Sequence, residues 1–94
     1  MLFMVIERFK NRDARPVYDR LRVSGRLRPD GLRYIDSWVE PYFDRCFQLM
    51  ETDDAALLER WILEWNDLME FEILPVVPSM ETRAIVEAAT AVSP

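Results

Sequence analysis

The sequence predicts one α+β domain in which four strands and two helices alternate as β-α-β-β-α-β. Three observations lead there. Apolar residues change from strand-like runs to helical spacing and back in that order along the chain. Turn residues, chiefly Pro, Gly and Asp, fall at the junctions between these runs. A chain of 94 residues, half of them apolar and three of them Trp, holds one core and no second domain.

Leu2 to Phe9 is an apolar, β-branched and aromatic run closed by the polar Lys10-Asn11-Arg12-Asp13, which reads as a central strand. From Arg15 the spacing is helical, with Val17 and Leu21 turned inward, Asp13 as N-cap, Pro16 in the first turn and Gly25 as the stop. Arg26 to Gly31 is a turn, because Pro29 sets one dihedral and Gly31 supplies a positive φ. It delivers a second strand, Leu32 to Glu40. Pro41 ends pairing, and Pro41 to Asp44 reverse the chain into a third strand, Arg45 to Glu51, so these two form an antiparallel hairpin.

Thr52-Asp53-Asp54 marks a helix start, a capping hydroxyl followed by carboxylates against the positive end of the helix dipole. Leu58, Trp61, Ile62 and Trp65 then form one broad buried face. Phe71 to Val77 returns to strand character, and Pro75 suits an edge position. The boundaries are therefore residues 1–78 for the domain and 79–94 for a short terminal helix or flexible tail.

This element order is the ferredoxin-like arrangement, in which right-handed crossovers place both helices on one face of an antiparallel sheet. Alternation divides each strand into two sets. Leu2, Met4, Ile6, Ile35, Val39, Phe47, Leu49, Phe71 and Ile73 are the more uniformly aliphatic and are expected under the helices. The other set carries Phe3, Val5, Tyr34, Trp38, Met50, Leu74 and Val76, too much apolar surface to leave in water. Stacking two copies through this open face covers it and closes an eight-stranded dimeric α/β barrel. The terminal segment is the competing cover, with Ile85, Val86, Ala89 and Val92 as a weak apolar stripe.

The segments MLFMVIERFK, GLRYIDSWVE and CFQLMETDD, with the Trp-bearing helix and FEILPVVP after them, resemble an uncharacterised family of small bacterial proteins of unknown function over Met1 to Pro78. In element order this family is similar to the dimeric α/β-barrel superfamily, which includes cofactor-free monooxygenases, stress-responsive proteins and small-ligand degraders. The resemblance implies the fold and the pairing, and carries no activity to any residue.

Composition removes several classes of function. Twelve basic and seventeen acidic residues leave a net charge of -5, which opposes a phosphate backbone, so nucleic acid is not an expected partner. No histidine is present, which removes the commonest general base and the commonest zinc and haem ligand. Cys46 stands alone, so neither an internal disulfide nor a multi-cysteine metal site can form, and no metal or cofactor is expected. The apolar start meets Glu7 and Arg8 too soon to be a signal peptide or a membrane span. A cytoplasmic protein is the expectation.

The candidate site residues are Glu7, Tyr34, Asp36, Trp38, Cys46, Gln48 and Glu72, all expected to point from the open face into the barrel. A carboxylate among aromatic rings has a raised pKa and can serve as a general base, with Gln48 or Tyr34 holding a carbonyl or phenol oxygen. The plainer role for the same residues is hydrogen bonding within a dimer interface. Cys46 reads as a small buried hydrophobe, a nucleophile only with a basic group to lower its pKa; Trp61 and Trp65 read as core, with the lining of a pocket as the alternative; and the arginines from Arg8 to Arg33 read as solvated charges, with an anionic ligand or acidic partner as the alternative. Three functions remain open: a homodimer binding a small organic ligand, a cofactor-independent monooxygenase acting on an aromatic or polyketide-like substrate, and a structural or interaction module.

Overall fold

A computed structural model describes residues 1–92 of the chain; Ser93, Pro94 and the side chains of Ala91 and Val92, which belong to the expected terminal segment, lie outside the described residues. The elements are β1 (Leu2–Phe9), a short 3-10 turn (Lys10–Arg12), α1 (Arg15–Ser24), β2 (Arg33–Val39), β3 (Arg45–Glu51), α2 (Ala56–Leu63), β4 (Met69–Val76) and α3 (Ser79–Val92). The expected β-α-β-β-α-β order is present, and the segment after it is a helix.

Local chemistry accounts for the boundaries. The Asp13 carboxylate accepts the Arg15 amide N–H at 3.0 Å, Pro16 follows in the first turn, and Gly25 ends α1 at φ 70° with its N–H on the Leu21 carbonyl at 2.8 Å. Before α2, Thr52 Oγ1 accepts the Asp54 amide at 3.1 Å and the Asp54 carboxylate accepts the Ala56 amide at 3.0 Å, so two side chains shape the turn that leads to the cap residue Ala55, which itself makes no side-chain cap bond. Helix α2 stops at Leu63, and Trp65 faces the sheet from the turn beyond it, 3 % exposed.

The strands lie in the order β2-β3-β1-β4, every neighbouring pair antiparallel. Strand β1 is central and β4, with Pro75, is an edge. Helices α1 and α2 cover one face: Val17, Leu58, Trp61 and Trp65 pack with Phe3, Val5, Phe9, Cys46 and Met50 in one core.

That core reverses the expected assignment of faces in β1 and β3 and keeps it for Val39, Asp36 and Trp38 in β2. The covered side of β1 is Phe3, Val5, Glu7 and Phe9, and that of β3 is Cys46, Gln48 and Met50. Leu2, Met4, Ile6, Phe47 and Leu49 lie on the open side instead. The covered set mixes sizes: small Val5 and Cys46 alternate with large Phe3, Phe9 and Met50, and this mix packs with Trp61 and Trp65 from the helix layer in one core. Polar Glu7 and Gln48 made this the less hydrophobic set by composition. In β2 the register shifts between Tyr34 and Asp36, so Tyr34, Ser37 and Val39 share the covered side while Asp36 and Trp38 pair across from Leu49 and Phe47 on the open side. The expectation for β4 holds, with Phe71 opposite Glu7 and Ile73 opposite Val5.

The open face is still apolar at its centre. Leu2, Met4, Ile6, Phe47 and Leu49 are half-buried, Leu74 and Trp38 exposed, and Arg8, Arg45, Glu70 and Glu72 rim one end. Helix α3 does not pack its apolar residues against it: residues 79–90 are all exposed, Met80 and Ile85 by 81 % and 69 %. Among the described residues no helix is long and apolar enough to cross a membrane.

Gly31 closes the loop into β2 at φ 92°, and a Cβ built there would meet Leu57 Cδ1 at 3.0 Å. Gly31→Ala is expected to lower stability by roughly 1–3 kcal/mol, mainly through the disfavoured backbone conformation. A thermal melt unchanged from wild type would contradict this.

Candidate ligand cavity beneath the helices

Strand alternation and cross-strand pairing bring three of the seven sequence-selected residues together under the helices. Glu7 lies opposite Cys46, and Gln48, opposite Val5, is its diagonal neighbour on the same face. These three line a cavity of about 120 Å³ between sheet and helices. Tyr34 is beside it, its hydroxyl 2.5 Å from Ser37 Oγ. Asp36, Trp38 and Glu72 are on the open face, away from this cavity. The expectation that all seven point into one interior is thus corrected: the covered face takes Glu7, Tyr34, Cys46 and Gln48, because the faces of β1 and β3 are exchanged and β2 carries its register shift.

A residue outside that set organises the polar floor. Arg26, in the loop after α1, donates from its guanidinium to Gln48 Oε1 at 3.0 Å and lies 3.6 Å over the Tyr34 ring. Arginine has donors only, so it can meet Gln48 solely through the amide oxygen. The Gln48 amide nitrogen is thereby turned to donate to Glu7 Oε1. Among the described residues the side-chain hydrogen bond to the Glu7 carboxyl is this one, onto Oε1; no buried side-chain oxygen is without a partner, so the second oxygen of Glu7, a residue 2 % exposed, is not sealed in the core but open to the cavity that Glu7 lines.

The loop carrying Arg26 is itself pinned. The indole N–H groups of Trp61 and Trp65 both donate to the Arg26 carbonyl, at 2.9 and 3.0 Å. The two Trp residues therefore do more than fill the core: they hold the main chain from which the guanidinium reaches Gln48. Two Trp one helical turn apart each need an acceptor for a buried N–H, a signal the sequence carries but one that does not name the acceptor. Nothing in the sequence separated Arg26 from the seven other arginines of the first third.

Burial governs the titration of the site. It pushes the Glu7 carboxyl up to about 7, against the opposing Gln48 hydrogen bond and the Arg26 charge. Burial, reinforced by Glu7, pushes the Cys46 thiol up to about 12, with Arg26 opposing. Cys46 is accordingly a thiol at neutral pH and a poor nucleophile. Burial likewise raises the Tyr18 phenol at the cavity wall. Chemically, the site offers a near-neutral carboxyl, a fixed amide and a cation at one end of an otherwise aromatic and aliphatic space. Among the described residues no group of three or more His, Cys, Asp or Glu is arranged to hold a metal ion.

Comparison with known proteins places this geometry in a family. No curated protein and no solved structure matched the chain. Residues 1–90 match the family described as Domain of unknown function (DUF3303), and the chain belongs to that family.

Proposed function

We propose that the protein is a homodimer that binds a small organic molecule in the helix-covered cavity of each protomer. The observation that carries this reading is the Glu7 carboxyl, buried on the cavity floor with one oxygen held by Gln48 and the other open to the cavity. A core selected for stability alone favours an apolar side chain there, and buried titratable groups with shifted pKa values concentrate at working sites. The open face supports the pairing, because an apolar centre with a charged rim is the usual anatomy of an interface. Two such faces stacked together give the eight-stranded α/β barrel. A reducing, cytoplasmic setting suits the free Cys46 thiol.

One observation favours a second reading, the cofactor-independent monooxygenase. A carboxyl titrating about 7 is well matched to taking a proton from a bound substrate at neutral pH. The size of the cavity argues for a single ring, since a polyketide of several fused rings exceeds about 120 Å³. Oxygen uptake dependent on an added ring substrate and abolished in Glu7→Gln would move the assignment from binder to enzyme.

Sedimentation and NMR test the main reading together. The expected mass is twice 11.2 kDa at micromolar concentration, falling to the monomer in Leu49→Glu, which places a charge at the centre of the open face. Fragments are expected to shift the Trp61 and Trp65 indole N–H resonances. A wild-type monomer would remove the dimer, and fragments that leave both indoles unmoved would remove the cavity.

A further inference from the structure

We propose that the cavity takes a small uncharged ring compound presenting an O–H or N–H to the free oxygen of Glu7. The inference rests on the ligand-binding reading and adds the chemistry of the ligand. Size comes first. About 120 Å³ is near the ~150 Å³ of an apolar cavity that admits benzene, so one six-membered ring with a single substituent fills it. Trp61, Trp65 and Phe9 are among its walls and offer flat apolar surface to such a ring.

Charge then narrows the class. The Arg26 charge already acts on the Glu7 carboxyl, so above neutral pH the floor holds one charge of each sign, and a ligand with a net charge of its own is attracted by one and repelled by the other. An uncharged molecule meets neither repulsion. Hydrogen bonding decides the functional group. Arg26 commits the Gln48 amide oxygen, and the amide nitrogen commits Glu7 Oε1, so what the floor leaves open to a ligand is the second Glu7 oxygen, an acceptor. A buried acceptor left unmatched discriminates strongly against a ligand without the donor.

The preference has a polarity that protonation inverts. As a carboxylate Glu7 accepts from the ligand; as a carboxylic acid its second oxygen donates and suits an ether or carbonyl instead. The titratable or charged groups facing it are Tyr18 from α1, Arg26 from the following loop and Cys46 from β3, whereas β2, α2 and β4 line the cavity with uncharged groups. Tyr18 and Cys46 are both shifted upward and remain neutral, so Glu7 is the group that changes charge near neutrality.

Calorimetric titration of the intact protein with phenol, anisole, benzoate and benzylammonium tests the class. At about pH 8 phenol should bind roughly tenfold or more tighter than anisole, with both charged rings weaker than phenol. At about pH 5.5 the advantage of phenol over anisole should shrink several-fold, and in Glu7→Gln it should no longer depend on pH. Equal affinity for phenol and anisole at the higher pH overturns the donor requirement while leaving a ring-binding cavity. Preference for benzoate or benzylammonium overturns the charge argument. A pH-independent advantage in the wild type removes Glu7 as the acceptor, even if the variant does not fold. Failure of every ring to bind at millimolar concentration overturns the cavity reading as well.

Discussion

Trp61→Ala is expected to remove a large share of the domain's stability. Trp61 is 1 % exposed, meets Phe71 edge to face with ring centroids 6.0 Å apart, and donates its indole N–H to the Arg26 carbonyl. Truncating a buried aromatic of this size costs about 3–5 kcal/mol through lost burial and the cavity left behind. A domain of this length has only about 5–14 kcal/mol to lose. The urea midpoint should fall by roughly 2–4 M, whereas Trp61→Phe keeps most of the volume and should fall by about 1 M or less. If Trp61→Ala unfolded with the wild-type midpoint, the helix layer would not be seated on the sheet through this residue.

Glu7→Gln is expected to stabilise the protein above neutral pH and to be nearly silent in acid. The folded state holds the Glu7 proton up to about 7, while the unfolded chain releases it near 4.5. Between these values the folded state binds the extra proton, so stability falls as pH rises. The contribution is complete below about 4.5 and is lost by the time pH has passed 7, which amounts to about 3 kcal/mol. Glutamine has no proton to lose, so the variant escapes that decline. Asp13, Glu40 and Asp67, held low by hydrogen bonds from Arg15, Arg45 and Arg20, titrate in the opposite direction and lose their contribution as pH falls. They are the same in both proteins and cancel in the difference. Denaturant melts of the two proteins at matched concentration from acid to mild alkali should therefore diverge between about pH 4.5 and 7. Parallel curves would mean that Glu7 titrates in the folded protein as it does in the unfolded chain.

These two residues also show where sequence reasoning is strong and where it stops. Trp61 was legible as a core residue because Leu58, Trp61, Ile62 and Trp65 share one helical face, a relation carried by local spacing alone. Glu7 was legible as a candidate because a carboxylate within an apolar strand is unusual, yet its surroundings were not. Which face of β1 the helices cover depends on what descends from the helix layer, and both sets of β1 side chains are apolar enough to serve. Tyr34 shows a different failure. The shift in β2 inserts one residue, and an alternation counted without it places Tyr34 with Trp38 when the structure separates them.

The sequence by itself determined the element order, the central place of β1, the edge place of β4 at Pro75, and the presence of one apolar sheet face more than two helices can cover. Each follows from periodicity, turn chemistry or steric limits on Pro and Gly, which act within a few residues. Tertiary structure alone decided which face is open, which of the seven candidate residues meet, and that Arg26 orients Gln48 so that Glu7 keeps one oxygen for the cavity. Those outcomes depend on how two Trp side chains pack with the covered strands and on a donor brought from 22 residues away to Gln48. No local pattern records them.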